Sequence, residues 1–426
     1  MTETLISAAN NPALATPLEY ASATSHATAE AMSDYDVVIA GGGMAGSMLA
    51  LAITQRCPAL TLAIIEQQAE IAPKASFDSR SIALSAGSVQ LLQQFGIWER
   101  LAPFGCPIMD IAVSDRGHFG KTWLNAAEYR VPALGQVIEV EHIGAVLSDV
   151  LASKPQITRL QPKQISAVTP GKNRQQLSLN DGLTLHSRLL VIAEGGQSAT
   201  RQLVAVPQQE TPYAQTAIIA NLALAQRHQN KAFERFTEHG PIALLPLTDN
   251  RYSLVWTVPP EQAGLLLALP EAEFLARVQQ AFGYRAGVFS GCGKRVAYPL
   301  VLRQSPQVVS HRVALLGNSL HSLHPIAGQG FNLALRDIDC LSSLVAMGDS
   351  DAVGCYQQLR QYELARQADM QRVIWLTDAL VRTFSNRSRL VALARNLGLF
   401  AMLMCDDLKT PLARQTMGFG AQYAKR

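Results

Sequence analysis

Tyr35-Asp36-Val37-Val38-Ile39-Ala40-Gly41-Gly42-Gly43-Met44-Ala45-Gly46 is the stretch on which the fold turns. Its first half is a short β-branched run, the pattern of a buried parallel strand. The second half supplies G-x-G-x-x-G, and Ser47 to Ile53 continue with good helix formers. A second apolar run, Leu60 to Ile65, ends in Glu66, twenty residues beyond Gly46. Strand, glycine loop, helix, strand and acid in this order predict a Rossmann-like βαβ unit that binds a dinucleotide. Gly41 permits the tight turn, Gly43 lets a pyrophosphate approach the backbone, and Gly46 lets helix and strand pack closely. Met44 and Ala45 open the helix, whose first N–H groups and partial positive charge face the phosphates. Glu66 is expected to accept hydrogen bonds from the adenosine ribose. The loop alone does not separate FAD from NAD.

The far end of the chain makes that separation. Val313-Ala314-Leu315-Leu316 reads as another buried strand, followed by Gly317-Asn318-Ser319 and then His324-Pro325-Ile326-Ala327-Gly328-Gln329-Gly330-Phe331-Asn332. A helix with apolar residues at Leu335, Ile338, Leu341 and Leu344 comes next. Gly328 and Gly330 would let its first N–H groups approach a flat ring, where a helix N-terminus stabilises the negative charge of a reduced flavin. A third stretch, Leu189-Leu190-Val191-Ile192-Ala193-Glu194-Gly195-Gly196-Gln197-Ser198-Ala199-Thr200-Arg201, is a strand running into an acidic-Gly turn.

These three stretches together resemble the class A flavoprotein monooxygenases, the aromatic hydroxylases, from about residue 34 to the C-terminus. Finer landmarks resemble the ubiquinone-biosynthesis branch: Asp78-Ser79-Arg80-Ser81-Ile82-Ala83-Leu84-Ser85, Val113-Ser114-Asp115-Arg116-Gly117-His118, Leu134-Gly135-Gln136-Val137-Ile138-Glu139 and Ala232-Phe233-Glu234-Arg235-Phe236-Thr237-Glu238-His239-Gly240-Pro241. Two positions depart from the wider family. Asn318 stands where Asp is usual, although this branch carries Asn, and Glu194 stands where Asp is usual. The resemblance implies FAD as cofactor, NADH or NADPH as co-substrate, and O2 as the oxygen source through a C4a-hydroperoxyflavin. The implied substrate is a polyprenylated methoxyphenol. By family position Gly41, Gly43, Met44, Ala45, Gly46, Glu66, Arg80, Glu194, Gly195, Gly317, Asn318, Pro325, Gly328, Gln329, Gly330 and Asn332 are expected around the cofactor, with the Pro325 carbonyl shaping the reacting pocket. Phe236, His239 and Trp256 are weighed as substrate-pocket walls, Trp256 more as core packing.

The expected fold is α/β: a Rossmann-like FAD-binding domain of the p-hydroxybenzoate-hydroxylase type with an inserted, mostly antiparallel substrate sheet and C-terminal helices. The flavin segments are expected at 34–108, 139–200 and 291–345, the substrate segments at 109–138 and 201–290. Alternating apolar and polar residues in Arg251 to Val258 suit such antiparallel strands. Residues 346–426 read as helical and residues 1–33, rich in Ala, Thr and Ser, as a flexible extension.

Composition bounds the rest. A chain of 426 residues with 48% hydrophobic and 16% charged residues can bury a large core, which excludes intrinsic disorder for most of it. A net charge of +3 gives no sign of a nucleic-acid partner. The six cysteines contain no C-x-x-C, and His321 with His324 makes a poor metal signal, so no metal is expected. No secretory signal and no run of about 18 apolar residues is present. The expected location is the cytoplasm, with the apolar stretch Leu390 to Cys405 able to lie on the inner face of the cell membrane or against partner proteins of the same pathway. Another flavin chemistry, a sister hydroxylase acting at a different ring position, and a non-catalytic flavin- or lipid-binding subunit remain alternatives.

Overall fold

The computed structural model describes residues 33–69, 79–117, 121–324, 328–384, 410 and 413–419. The N-terminal extension, Pro325 and the stretch 390–405 lie outside the described residues. The quoted glycine stretch sits at the centre of an eight-stranded sheet. β1 (Ser33–Ala40) runs parallel between β2 (Leu62–Ile65) and β11 (Thr184–Ile192). β8 (Ile157–Leu160) extends the parallel set beyond β2, and β19 (Val313–Leu315) extends it beyond β11. β9 (Ile165–Pro170), β10 (Gln175–Leu179) and β18 (Val309–Ser310) add antiparallel pairs. Val37, Val38 and Ile39 are fully buried because both faces of a parallel sheet are covered.

The nine helices of the described residues are α1 (Met44–Arg56), α2 (Ala86–Gln94), α3 (Trp98–Leu101), α4 (Val140–Ala152), α5 (Ala199–Leu203), α6 (Pro260–Ala268), α7 (Glu271–Phe282), α8 (Gln329–Met347) and α9 (Tyr356–Phe384). α1 is buried from Gly46 to Thr54, the signature of a helix enclosed on all sides, and it packs on α8 and α4. In α8, Leu335, Ile338 and Leu341 are fully buried, the face the spacing predicts. Below α8 lies a sealed charge network: Asp337 accepts from His321 Nε2 and Arg366 Nε, each at 2.7 Å. Burial alone would raise the Asp337 carboxyl, but Arg366 and His321 hold it below the usual carboxylate range.

A three-stranded sheet places β7 (Gly135–Glu139) between β3 (Ser81–Ser85) and β4 (Cys106–Ile108). The third sheet has nine strands in the order β20 (His321–Ser322), β17 (Val296–Gln304), β12 (Gln209–Leu224), β15 (Arg251–Val258), β14 (Gly240–Leu247), β13 (Lys231–Thr237), β5 (Asp110–Asp115) and β6 (Lys121–Asn125), with β16 (Phe289–Cys292) also on β12. All its pairs are antiparallel except β13 with β5. Two details differ from the expectation. β12 is 16 residues long, so β17 pairs along it as far as Gln304, past position 290. Gly135–Glu139 pairs with β3 and β4 rather than joining the strands of 110–125.

The nine-stranded sheet has two apolar faces. On one, Phe233, Leu244, Leu254 and Trp256 pack with Phe274, Val278 and Phe282 of α7. The register puts a different row on the other: Ile219, Val255, Ala243, Glu234, Val113 and Thr122, one from each of six neighbouring strands. The buried pair Arg251–Glu139 (Nη1 to Oε1, 3.0 Å) ties this sheet to the three-stranded one. That second row faces the site.

Candidate active site

A cavity of about 1200 Å³ opens between the glycine loop, β3, the start of α4, the start of α8 and the second face of the nine-stranded sheet. Gly41, Gly43, Met44 and Ala45 line it from the β1–α1 turn. Gly41 has φ +106°, and a Cβ there would stand 2.6 Å from the Ala193 carbonyl oxygen, so only glycine lets β1 and β11 turn together. Gly46 is out of the lining and does another job: its Cβ would meet the Gly41 carbonyl oxygen at 2.0 Å, which fixes the closeness of helix and strand. A Cβ on Gly43 meets nothing within 4 Å, because that position opens into the cavity.

The two motif acids are already engaged. Glu66 lines the cavity while its Oε2 accepts from Gly42 N–H (2.8 Å) and its Oε1 from Gln68 N–H (2.9 Å). Each carboxylate oxygen retains a further lone pair for a ribose hydroxyl. Glu194 accepts from Ser198 Oγ and Thr200 Oγ1, both at 2.6 Å, and from Thr200 N–H at 3.0 Å. It therefore caps α5 and holds the turn, with Gly195 beside it in the lining.

On the α8 side Asn318, Gly328, Gln329, Gly330 and Asn332 all line the cavity. Asn332 Oδ1 accepts from Ser85 N–H (2.9 Å), and Nδ2 donates to the carbonyls of Ala83 (2.9 Å) and Gly328 (2.7 Å). It is a clamp that fastens β3 to the helix N-terminus. Gly317, at φ +58°, stays outside the lining and lets the turn pass Ala45 and Ala334. Arg80 is exposed and does not line the cavity; its carbonyl accepts from Val140 N–H at 2.7 Å.

Of the pocket candidates, Phe236 lines the cavity. Trp256 instead packs on Phe274 (ring centroids 6.1 Å apart) on the opposite sheet face, a placement that strand alternation dictates. His239 sits at the β13–β14 turn beside Glu238 (3.6 Å) and outside the lining. Sequence reading passed over Glu234 and Thr122, which do line it, and Ala413, Thr416 and Met417, which close one side. The last segment is held by Met417 O, which accepts from Gly87 N–H at 2.8 Å. The alternation Ala232, Glu234, Phe236 was the available signal for Glu234: a lone carboxyl on an apolar strand face.

Burial pushes the Glu234 carboxyl up to about 8 and pulls the His324 imidazole, also in the lining, down to about 4. Both are therefore mainly neutral at pH 7. His321 and His324 diverge, His321 bonding Asp337 and His324 meeting the Tyr213 ring edge-on at 5.1 Å.

The model of the FAD binding domain family matches residues 34–375. Ubiquinone hydroxylase UbiL of Rhodospirillum rubrum is 34% identical over 400 residues, covering 93% of this chain and 92% of that protein. The 3-demethoxyubiquinol 3-hydroxylase of Escherichia coli strain K12 is 30% identical, covering 90% of this chain and 98% of that one. Among solved structures, PqsL of P. aeruginosa superposes with a TM-score of 0.71 at 24% identity, over 86% of this chain and 99% of that one, and shares the fold. The chain belongs to the FAD-binding-domain family of flavoprotein monooxygenases. Within it the chain is an FAD-dependent hydroxylase of the ubiquinone-biosynthesis branch, with the α/β fold of the p-hydroxybenzoate-hydroxylase type.

Proposed function

We propose that the chain hydroxylates the aromatic ring of a 2-polyprenyl-6-methoxyphenol, with NADH or NADPH as reductant and O2 as the oxygen source. One observation carries this reading: a single cavity has a dinucleotide-type glycine loop on one wall and an apolar sheet face on the other. The residues fit FAD. Gly43, Gly195 and Gly330 line the cavity, and none has a protein atom within 4 Å of where a Cβ would stand. The first N–H groups of α1 serve the pyrophosphate, Glu66 the ribose, Asn318 the ribityl chain, and the start of α8 the ring. Arg80, expected at the cofactor by family position, is exposed and outside the lining, and Pro325 lies outside the described residues. In this reading segments 34–108, 139–200 and 291–345 carry the cofactor, and 109–138 with 201–290 the substrate.

FAD, when bound, would supply the redox chemistry between the nicotinamide, O2 and the ring. The chain's own residues bind, orient and keep water out. Ile219, Val255, Ala243 and, beyond Glu234, Val113 present a hydrocarbon surface suited to a ring and its prenyl tail. Such a substrate partitions into bilayers, which supports work at the inner face of the membrane and beside other enzymes of the pathway. Among the described residues no helix is long and apolar enough to cross a membrane.

A sister reaction at another ring position is the second reading, favoured by the name of the Escherichia coli relative. Turnover under isotopically labelled O2 tests both. The hydroxylated product should carry the label, and its ring position decides between them. Label entering from water would defeat the monooxygenase chemistry proposed here.

A further inference from the structure

We propose that Glu234 is the catalytic base that takes the proton of the substrate's phenol hydroxyl, with Thr122 Oγ1 as the second polar contact on the ring. The inference rests on the hydroxylase reading above and assigns a residue within it. Two unsatisfied polar atoms carry it. Glu234 Oε1 and Thr122 Oγ1 are buried and find no hydrogen-bond partner among the described residues. Both belong to the cavity lining, and both lie in one cross-strand row. Val113 alone separates them in that row, so their backbones stand two strand spacings, roughly 10 Å, apart. One substituted ring can meet both. Their neighbours Val113, Ala243, Val255 and Ile219 offer hydrocarbon only. A buried polar group left unpaired costs about 1–3 kcal/mol, so a carboxyl kept on this face fits a polar ligand atom.

The chemistry favours Glu234 over the other titratable groups of the lining, which are Glu66, Glu141, Glu194 and His324. Glu66 and Glu194 hold backbone and side-chain donors. Glu141 Oε2 also finds no partner among the described residues, but it stands in the first turn of α4, off the nine-stranded sheet and out of the row that pairs Glu234 with Thr122. On the sheet face itself Asp115 is in register with Phe236, and Arg251 at the end of β15 is taken by Glu139. A phenol ordinarily ionises near pH 10. Glu234, pushed up to about 8 by burial, lies only about two units below that, whereas an ordinary carboxyl lies about six below. His324 at about 4 is the poorer base by the same measure.

In the step, the phenol O–H bond breaks, its electron pair stays on the ring oxygen, and the proton passes to Glu234. That electron density raises the nucleophilicity of the ring carbon that receives the oxygen atom from O2, the electrons for O2 reduction coming from the nicotinamide. The ring carbon then loses its own proton to restore aromaticity, that proton leaving with the second oxygen atom of O2 as water, and Glu234 returns the proton it took to the original phenol oxygen.

The test uses FAD-loaded wild type, Glu234→Gln and Glu234→Asp, with 2-methoxy-6-farnesylphenol as probe. Equal FAD content establishes that the variants fold. In the oxidised enzyme without nicotinamide, probe affinity of the wild type should rise about tenfold as pH passes 8 and stay flat in Glu234→Gln. In turnover, kcat should fall on the order of 100- to 10,000-fold in Glu234→Gln and lose its rise near pH 8. Glu234→Asp, still titratable but one methylene shorter, should keep the rise at reduced rate. Wild-type kcat with an unchanged pH profile in Glu234→Gln would overturn the assignment, and a rise centred near pH 4 would transfer it to His324. A wild type that binds FAD yet hydroxylates no prenylated phenol would instead defeat the substrate reading.

Discussion

On the glycine-loop wall of the cavity, Glu66 receives two backbone N–H groups and Glu194 receives three donors. On the facing sheet wall, Glu234 Oε1 receives none among the described residues. On the first wall these two carboxylates set loop geometry and the glycines set backbone approach, while Ser81 Oγ and Glu141 Oε2 beside them find no partner among the described residues. The second is an apolar surface on which Glu234 Oε1 and Thr122 Oγ1 find no partner among the described residues. In the proposed reading, cofactor recognition is preorganised in backbone, and substrate recognition rests on polar atoms left without partners.

The largest expected effect breaks the first wall. Gly46→Val would push a side chain into the Gly41 carbonyl, where a Cβ alone would sit at 2.0 Å. The chain should fail to reach a native unfolding transition, since no flexible neighbour can yield. Gly43→Val sharpens the contrast, because a Cβ there has no protein atom within 4 Å. That variant should fold with the wild-type urea midpoint as apoprotein and lose FAD. The loss of even one hydrogen bond to a charged phosphate, about 1.5–3 kcal/mol, is roughly 10- to 100-fold in affinity. Flavin fluorescence titration measures it, and wild-type affinity would show that the pyrophosphate lies elsewhere.

The smallest effect probes the second wall. Glu234 is protonated in the folded protein up to about pH 8, whereas in the unfolded chain it ionises near 4.5. The unfolded state thus binds fewer protons between those values, and stability falls as pH rises from 4.5 to 8. Glu234→Gln removes that dependence. It should match the wild type below pH 4.5 and exceed it above pH 8 by about 1–3 kcal/mol once cavity water is allowed for. Urea unfolding at pH 4.5, 7 and 8.5 reads the divergence, and parallel curves would mean that Glu234 titrates as an ordinary carboxyl. A stabilising substitution that also removes turnover is the mark of a functional site.

The same contrast explains what could be read from residues alone. The cofactor wall is local: Tyr35 to Gly46 and Val313 to Asn332 each contain strand, turn and helix start, so their chemistry is spelled in consecutive letters. The substrate wall takes one residue from each strand, between Val113 and Val255, and no short window contains two of them from different strands. Register, settled only when the strands pair, decides which residues share a row. Alternation still held a partial signal. It sets Trp256 with Leu254 and Val258 and against Val255, and it sets Glu234 with Ala232 and Phe236. The Arg251–Glu139 pair, 112 residues apart, carried no local mark at all.

The strand order β19–β11–β1–β2–β8 has a consequence for how the molecule is made. β1 emerges early from the ribosome, yet one of its neighbours, β11, follows about 150 residues later, and the start of α8 at Gln329 later still. At about 5–20 residues per second, roughly 15–60 seconds of synthesis separate the glycine loop from the helix that faces it. During that interval Val37, Val38 and Ile39 have no completed sheet to enter, and the nascent chain offers a chaperone a greasy strand. The cavity between them is therefore completed late in synthesis, once the start of α8 has emerged.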